Sequence, residues 1–195
     1  GGGAARQAAK TAGGRAPSVP TMDTNRSRLR ELDDIYNGVV ITLASNPWTI
    51  SESLKSADLV IGAVLIPGAA APRLVTREMI SQMKRGAVIV DVAIDQGGCC
   101  ETSKPTPHTD PVYYVDNVLP YCVSNMPAAV PHTSTYGPNN ATFPYLMQLA
   151  NRGVKEAVAA SPALALGVNT YAGKCVYPAV AESQGIECAD LAKLL

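Results

Sequence analysis

The sequence has little that suits a nucleic-acid or membrane surface. Aromatic residues make up only 5% of it, with one Trp and one Phe, which argues against a base-stacking platform. No charge of one sign dominates: 16 basic and 16 acidic side chains cancel, so no field draws in nucleic acid or an anionic bilayer. No apolar run approaches the ~18 residues needed to span a bilayer. No charged start followed by an apolar stretch marks a secretory signal. A cytoplasmic protein with no nucleic-acid or membrane partner is expected. The cysteines, Cys99, Cys100, Cys122, Cys175 and Cys188, contain no CxxC pair, and only His108 and His132 could add nitrogen ligands. That spacing predicts no zinc or other metal site. The thiols read as small buried residues of a reducing compartment, with redox chemistry at Cys99-Cys100 as the rival reading.

What the sequence does contain is core-forming material and a β/α rhythm. At 195 residues and 47% apolar content, the chain can build one domain with a sizeable core, or one domain plus a fragment. Residues 1–22 form a low-complexity, poorly ordered opening in which Ala4 to Ala12 could make a short helix, marginal alone. Asn25 to Ile35 puts Leu29, Leu32 and Ile35 at helical spacing. Val39 to Leu43 then reads as a strand, and Ser51 to Ser56 as a short helix started by Thr49 or Ser51. Leu59 to Val64 reads as a buried strand, Thr76 to Lys84 as a helix closed by Gly86, and Ala87 to Val92 as another buried strand. Such apolar strands separated by helices predict a parallel sheet covered on both faces. Val112 to Val115 and Tyr121 to Val123 read as two further short strands. Asn140 to Arg152 reads as a helix with Pro144 in its first turn, followed by helices over Val154 to Ala160, Pro162 to Leu166 and Pro178 to Gln184.

The most informative stretch runs from Val90 to Cys99, where a β-branched strand leads into Asp95-Gln96-Gly97-Gly98. Ligands of open α/β sheets bind beyond the carboxyl ends of the strands, which makes Asp95 the sharpest candidate for chemistry. Glycines there let backbone approach a ligand closely. Acids also end strands simply because they suit turns and caps, and position alone does not separate the two readings.

The surrounding words separate them. Ala57 to Ala69, Ala71-Pro72, Leu74 to Met79 and the run around Asp95 closely resemble the alanine dehydrogenase family. So do Glu101-Thr102-Ser103, Asp110-Pro111, Tyr121 to Pro127, Val130-Pro131 and Thr133 to Tyr136. The likeness extends more loosely from Asp23 to Val180. It implies an NAD-dependent oxidoreductase that converts L-alanine, NAD and water to pyruvate, ammonium and NADH, with Asp95 near the chemistry as a catalytic group. It also implies a cofactor-binding set. Asp23 would accept from the adenosine ribose hydroxyls, favouring NAD over NADP, and Arg28 would lie near the adenosine end. Ser45 follows the next strand, while Val64, Leu65, Val92, Ala93 and Ile94 would pack against the cofactor and lead into Asp95, which also belongs to the cofactor-binding set. Lys104 stands where the family often has Arg, and Val123, Ser124, Asn125 and Met126 would flank the nicotinamide. Taken singly, Asp23 reads as a helix cap, and Ser45, Lys104 and Asn125 as ordinary loop residues. His108 and His132 lie outside the matching words and read as surface residues.

The resemblance also marks departures. Gly1 to Arg6 matches only the tail of a dinucleotide-binding glycine turn. The strand expected before Asp23 is replaced by Arg15 to Met22, whose Pro17 and Pro20 argue against a central ladder. The expected fold is therefore α/β: an incomplete Rossmann-like parallel sheet, its N-terminal strand missing, over residues 23–131, then a helical segment over 132–195. A truncated relative with little activity of its own is expected, with a non-catalytic NAD-binding or assembly module as the alternative. A homo-oligomer is left open.

Overall fold

The computed structural model describes residues 3–14 and 18–195, with Ala5 described by its backbone alone. The expectations placed on Gly1, Gly2 and Arg15 to Pro17 lie outside the described residues. Two compact units are present: Gly1–Leu65 with Ala70–Ser124, and Ile66–Ala69 with Asn125–Leu195.

The first unit opens on helix α1 (Gly3–Gly13), within the stretch read as a low-complexity opening, followed by strand β1 (Pro20–Asp23), which begins in it. Helix α2 (Arg26–Tyr36) carries the chain to β2 (Ile41–Ala44), which runs parallel to β1 with Pro20 opposite Ile41 and Asp23 opposite Ala44. The argument from prolines against a strand here is overturned. Pro20 is the strand's first residue, where a missing N–H is tolerated, and Ile41 N–H donates instead to the Val19 carbonyl. Helix α3 (Pro47–Ser56) starts earlier than periodicity suggested, because Asn46 and Thr49 form a reciprocal capping box and Pro47 sits in the first turn. Strand β3 (Leu59–Gly62), helix α4 (Arg77–Ser81), β4 (Val88–Asp91) and β5 (Leu119–Tyr121) complete the unit. They form a parallel sheet in the order β3-β4-β5.

Several strand expectations change, among them Tyr121 to Val123, which is corrected to β5 at Leu119–Tyr121. The strand read as Ala87 to Val92 ends at Asp91, and Val92–Gln96 is a turn of 3₁₀ helix. Val112 to Val115 makes only isolated bridges, Val112 to Tyr121 and Val115 to Val118. The second of these is a tight reversal in which Asp116 and Asn117 take positive φ. The sheets are also not covered on both faces: Ile41 and Leu59 are about half exposed, at 47% and 54%. The core lies on the other side, where Ile50 and Leu54 of α3, Ile80 of α4 and Ile89 of β4 pack with Val118. Each such side chain fully buried contributes roughly 1.5–3 kcal/mol.

The second unit is mainly helical: α5 (Pro131–Ala160), α6 (Pro162–Leu166), the antiparallel pair β6 (Thr170–Tyr171) and β7 (Lys174–Cys175), and α7 (Pro178–Gln184). The expected start of the long helix near Asn140 is corrected to Pro131, so Pro138 and Pro144 both lie in its interior. Gly153, at φ 73° and ψ 166°, breaks α5 where the sequence placed a boundary between two helices. Tyr136, Phe143 and Leu146 of α5 stand at least half exposed, whereas Ala157 and Val158 are buried.

Candidate functional site

The expected site residues of the first unit mostly follow the carboxyl ends of parallel strands. Asp23 is the last residue of β1. Its carboxylate accepts from the Asn25 N–H at 2.8 Å, but the cap of α2 is Asn25, whose side chain accepts from the Arg28 N–H. The helix-cap reading of Asp23 thus belongs to its neighbour. Partial burial opposes ionisation of Asp23, and the Asn25 and Thr24 amides favour it. Ser45, just past β2, donates its N–H to the Asp23 carbonyl at 3.0 Å, which joins these two ends. Arg28 points along α2 to Glu31 at 2.5 Å.

Beyond β3, Val64 packs against the core while Leu65 is 69% exposed. The turn after β4 sorts its residues by face: Val92 and Asp95 are exposed, whereas Ala93 and Ile94 are buried. Lys104 lies on a groove of about 370 Å³ with Arg77, Glu101, Tyr113 and Tyr114. Its ammonium sits 4.4 Å from the centre of the Tyr113 ring, and the Lys104 backbone N–H donates to the Tyr113 hydroxyl at 3.0 Å. Burial, then the Cys122 thiol, push the Tyr113 hydroxyl's pKa up. Val123 is fully buried after β5, and Ser124 is exposed. Asn125 and Met126 belong to the second unit, where Asn125 is exposed with φ 58° and Met126 opens a 3₁₀ turn. His108 and His132 are both exposed.

The residue that sequence reasoning passed over is Asp91. It ends β4 and is fully buried. It accepts from the Ala93 N–H at 3.1 Å, the Cys99 N–H at 2.8 Å and the Ser103 hydroxyl at 2.6 Å. The first of these turns the chain out of the strand, and the other two fold residues 97–103 back over it. An acid inside an apolar strand followed by a glycine pair was the available signal. Gly98 serves this fold-back. Gly97 and Gly98 have φ of 93° and 83°, and a Cβ on Gly98 would meet Ser103 Cβ at 2.5 Å and Asp91 Oδ2 at 2.7 Å. Cys99 and Cys100 are buried beside Asp91, as are Cys122 and Cys175 elsewhere, but Cys188 is exposed, against the expectation for all five thiols.

Gly62 is part of the same packing, since a Cβ there would lie 2.2 Å from Cys99 Sγ. Gly62→Ala is therefore expected to cost about 1–3 kcal/mol through overpacking. In a Cys99→Ala background the same change should cost at least about 1 kcal/mol less, as urea unfolding of the four proteins in the cycle would show. Equal costs in both backgrounds would mean that the two groups do not compete for that space.

Parallel strands crossing over through helices, with polar residues gathered past their carboxyl ends, define an α/β protein of the Rossmann-like class. The chain belongs to the alanine dehydrogenase/PNT C-terminal domain family, whose profile matches residues 1–178. It is 55% identical over 188 residues to an alanine dehydrogenase of Staphylococcus haemolyticus, covering 96% of this chain and 50% of that protein. It is 49% identical over 195 residues to one from Halomonas elongata, covering 100% of this chain and 53% of that protein. Among solved structures, an L-alanine dehydrogenase superposes with a TM-score of 0.80 at 47% identity, covering 92% of this chain and 49% of the other. A transhydrogenase from Sinorhizobium meliloti superposes with a TM-score of 0.63 at 30% identity, covering 73% of this chain and 42% of the other. The chain spans about half the length of the curated relatives it matches.

Proposed function

We propose that this chain binds NAD and serves the NAD-dependent oxidative deamination of L-alanine to pyruvate and ammonium. The observation that carries the reading is Asp23: an acid ending a parallel strand, with the following helix capped by Asn25 in its place. A carboxylate in that position suits a ribose diol and repels a 2′-phosphate. Ser45, bonded through its N–H to the Asp23 carbonyl, supports the same end of the cofactor. Leu65 and Val92 offer exposed apolar contact, whereas buried Ala93, Ile94 and Val123 would act by holding the backbone beneath it. Arg28, Val64, Lys104, Ser124, Asn125 and Met126 complete the proposed set. NAD supplies the hydride acceptor when bound. Asp95, exposed on the turn after β4, would hold and release protons at the amine and water steps. The reading carries a small-molecule substrate and a cytoplasmic location, and a net charge of +0 favours no nucleic-acid partner.

Fluorescence titration with NADH tests the proposal. Saturable binding is expected, with NADPH weaker, and Asp23→Asn should weaken NADH about tenfold, or about 1.4 kcal/mol. Equal NADH affinity in the variant would remove Asp23 from the site, and no binding by the parent chain would overturn the reading. Asp95→Asn should weaken NADH binding less than Asp23→Asn does while abolishing any pyruvate formed from L-alanine. Binding with no turnover in the parent chain would favour a non-catalytic module.

A further inference from the structure

Adjacent residues on an extended strand send their side chains to opposite faces, yet Cys99 and Cys100 are brought to one place. The left-handed Gly97 and Gly98 return the chain so that the Cys99 N–H meets Asp91, and the absent Cβ of Gly62 leaves the hollow that Cys99 Sγ fills. The two sulfurs and a carboxylate oxygen of Asp91 all lie within 4.8 Å of one another, and all three residues are buried. Asp91 is 0% exposed, and none of the ion pairs among the described residues includes it. Two amides and a hydroxyl fix its carboxylate beside the two sulfurs.

We propose that Asp91, Cys99 and Cys100 form a buried site for one thiophilic divalent cation of the zinc class, held by two thiolates and one carboxylate oxygen. Binding forms two metal–sulfur bonds and one metal–oxygen bond in place of bonds to the ion's own waters, breaks the two S–H bonds and releases their protons to solvent, with no change of oxidation state. The Ser103 hydroxyl, donating to Asp91 at 2.6 Å, orients the carboxylate. Searching the sequence for CxxC spacing misses such a site because its third ligand comes from the strand before the glycine turn.

The test uses the full chain, reduced and stripped with chelator, and cadmium as the probe. Titration is expected to give a thiolate-to-cadmium charge-transfer band that saturates at about one equivalent, with zinc competing. Cys188→Ser, which removes the exposed thiol, should leave this unchanged. Cys100→Val should weaken binding at least about tenfold, and Cys99→Ala should do the same, so the test survives if one variant fails to fold by circular dichroism. Undiminished binding in a folded Cys100→Val or Cys99→Ala protein would overturn the proposal. So would loss of the band in Cys188→Ser, or its absence from the parent chain.

Discussion

Asp91→Ala is expected to destabilise the first unit by about 3–5 kcal/mol, the largest effect of any single side chain discussed. Asp91 is fully buried and holds three donors, the N–H groups of Ala93 and Cys99 and the Ser103 hydroxyl. Each donor left buried without a partner costs roughly 1–3 kcal/mol, partly offset because a charged group no longer needs to be desolvated. Asp91→Asn keeps the size but turns one acceptor oxygen into a donor facing these groups, so an intermediate loss is expected. Urea unfolding of metal-free protein would measure both. A loss under about 1 kcal/mol for the alanine variant would mean that water or a relaxed backbone takes over the three donors.

Gly98→Ala should be nearly as damaging, at about 3 kcal/mol or more, and its neighbour supplies the control. Both glycines hold left-handed φ, so an alanine at either carries a backbone penalty of roughly 1 kcal/mol. Only at Gly98 does the added carbon also collide, with Ser103 Cβ at 2.5 Å and Asp91 Oδ2 at 2.7 Å. At Gly97 the nearest group is the end of the Arg73 side chain, 4.0 Å away. Gly97→Ala is thus expected to show the backbone cost alone. If the two variants unfold at the same urea concentration, the close approach at Gly98 has no energetic weight.

How much of this was legible can be judged residue by residue. Helices α6 and α7 match their expected bounds because each begins with a proline in its first turn and ends at a glycine. Helix α2 was readable from Leu29 and Leu32, both buried, although Ile35 remains 45% exposed. The start of α5 was not readable, because Pro138 and Pro144 act locally as helix breakers. The chain nonetheless continues through them from Pro131, with the Thr142 hydroxyl donating to the Pro138 carbonyl at 2.9 Å. At the site, the identity of Asp23 and Asp95 as candidates came from the sequence and its family likeness. Which residues of the Val92–Gln96 turn face outward did not, since a 3₁₀ turn and a strand present different side chains to solvent.

The sequence by itself determined the family, the β/α order and the acids worth examining, because apolar periodicity, turn residues and matching words are local properties. Only the tertiary structure decided that β4 stops at Asp91, that Gly98 is pressed against that carboxylate, and that Cys99 and Cys100 lie beside it. The reason is that a buried charge selects its partners through space. Asp91 is bonded to Cys99 and Ser103 across a glycine turn, and no propensity of any one of these residues records that pairing.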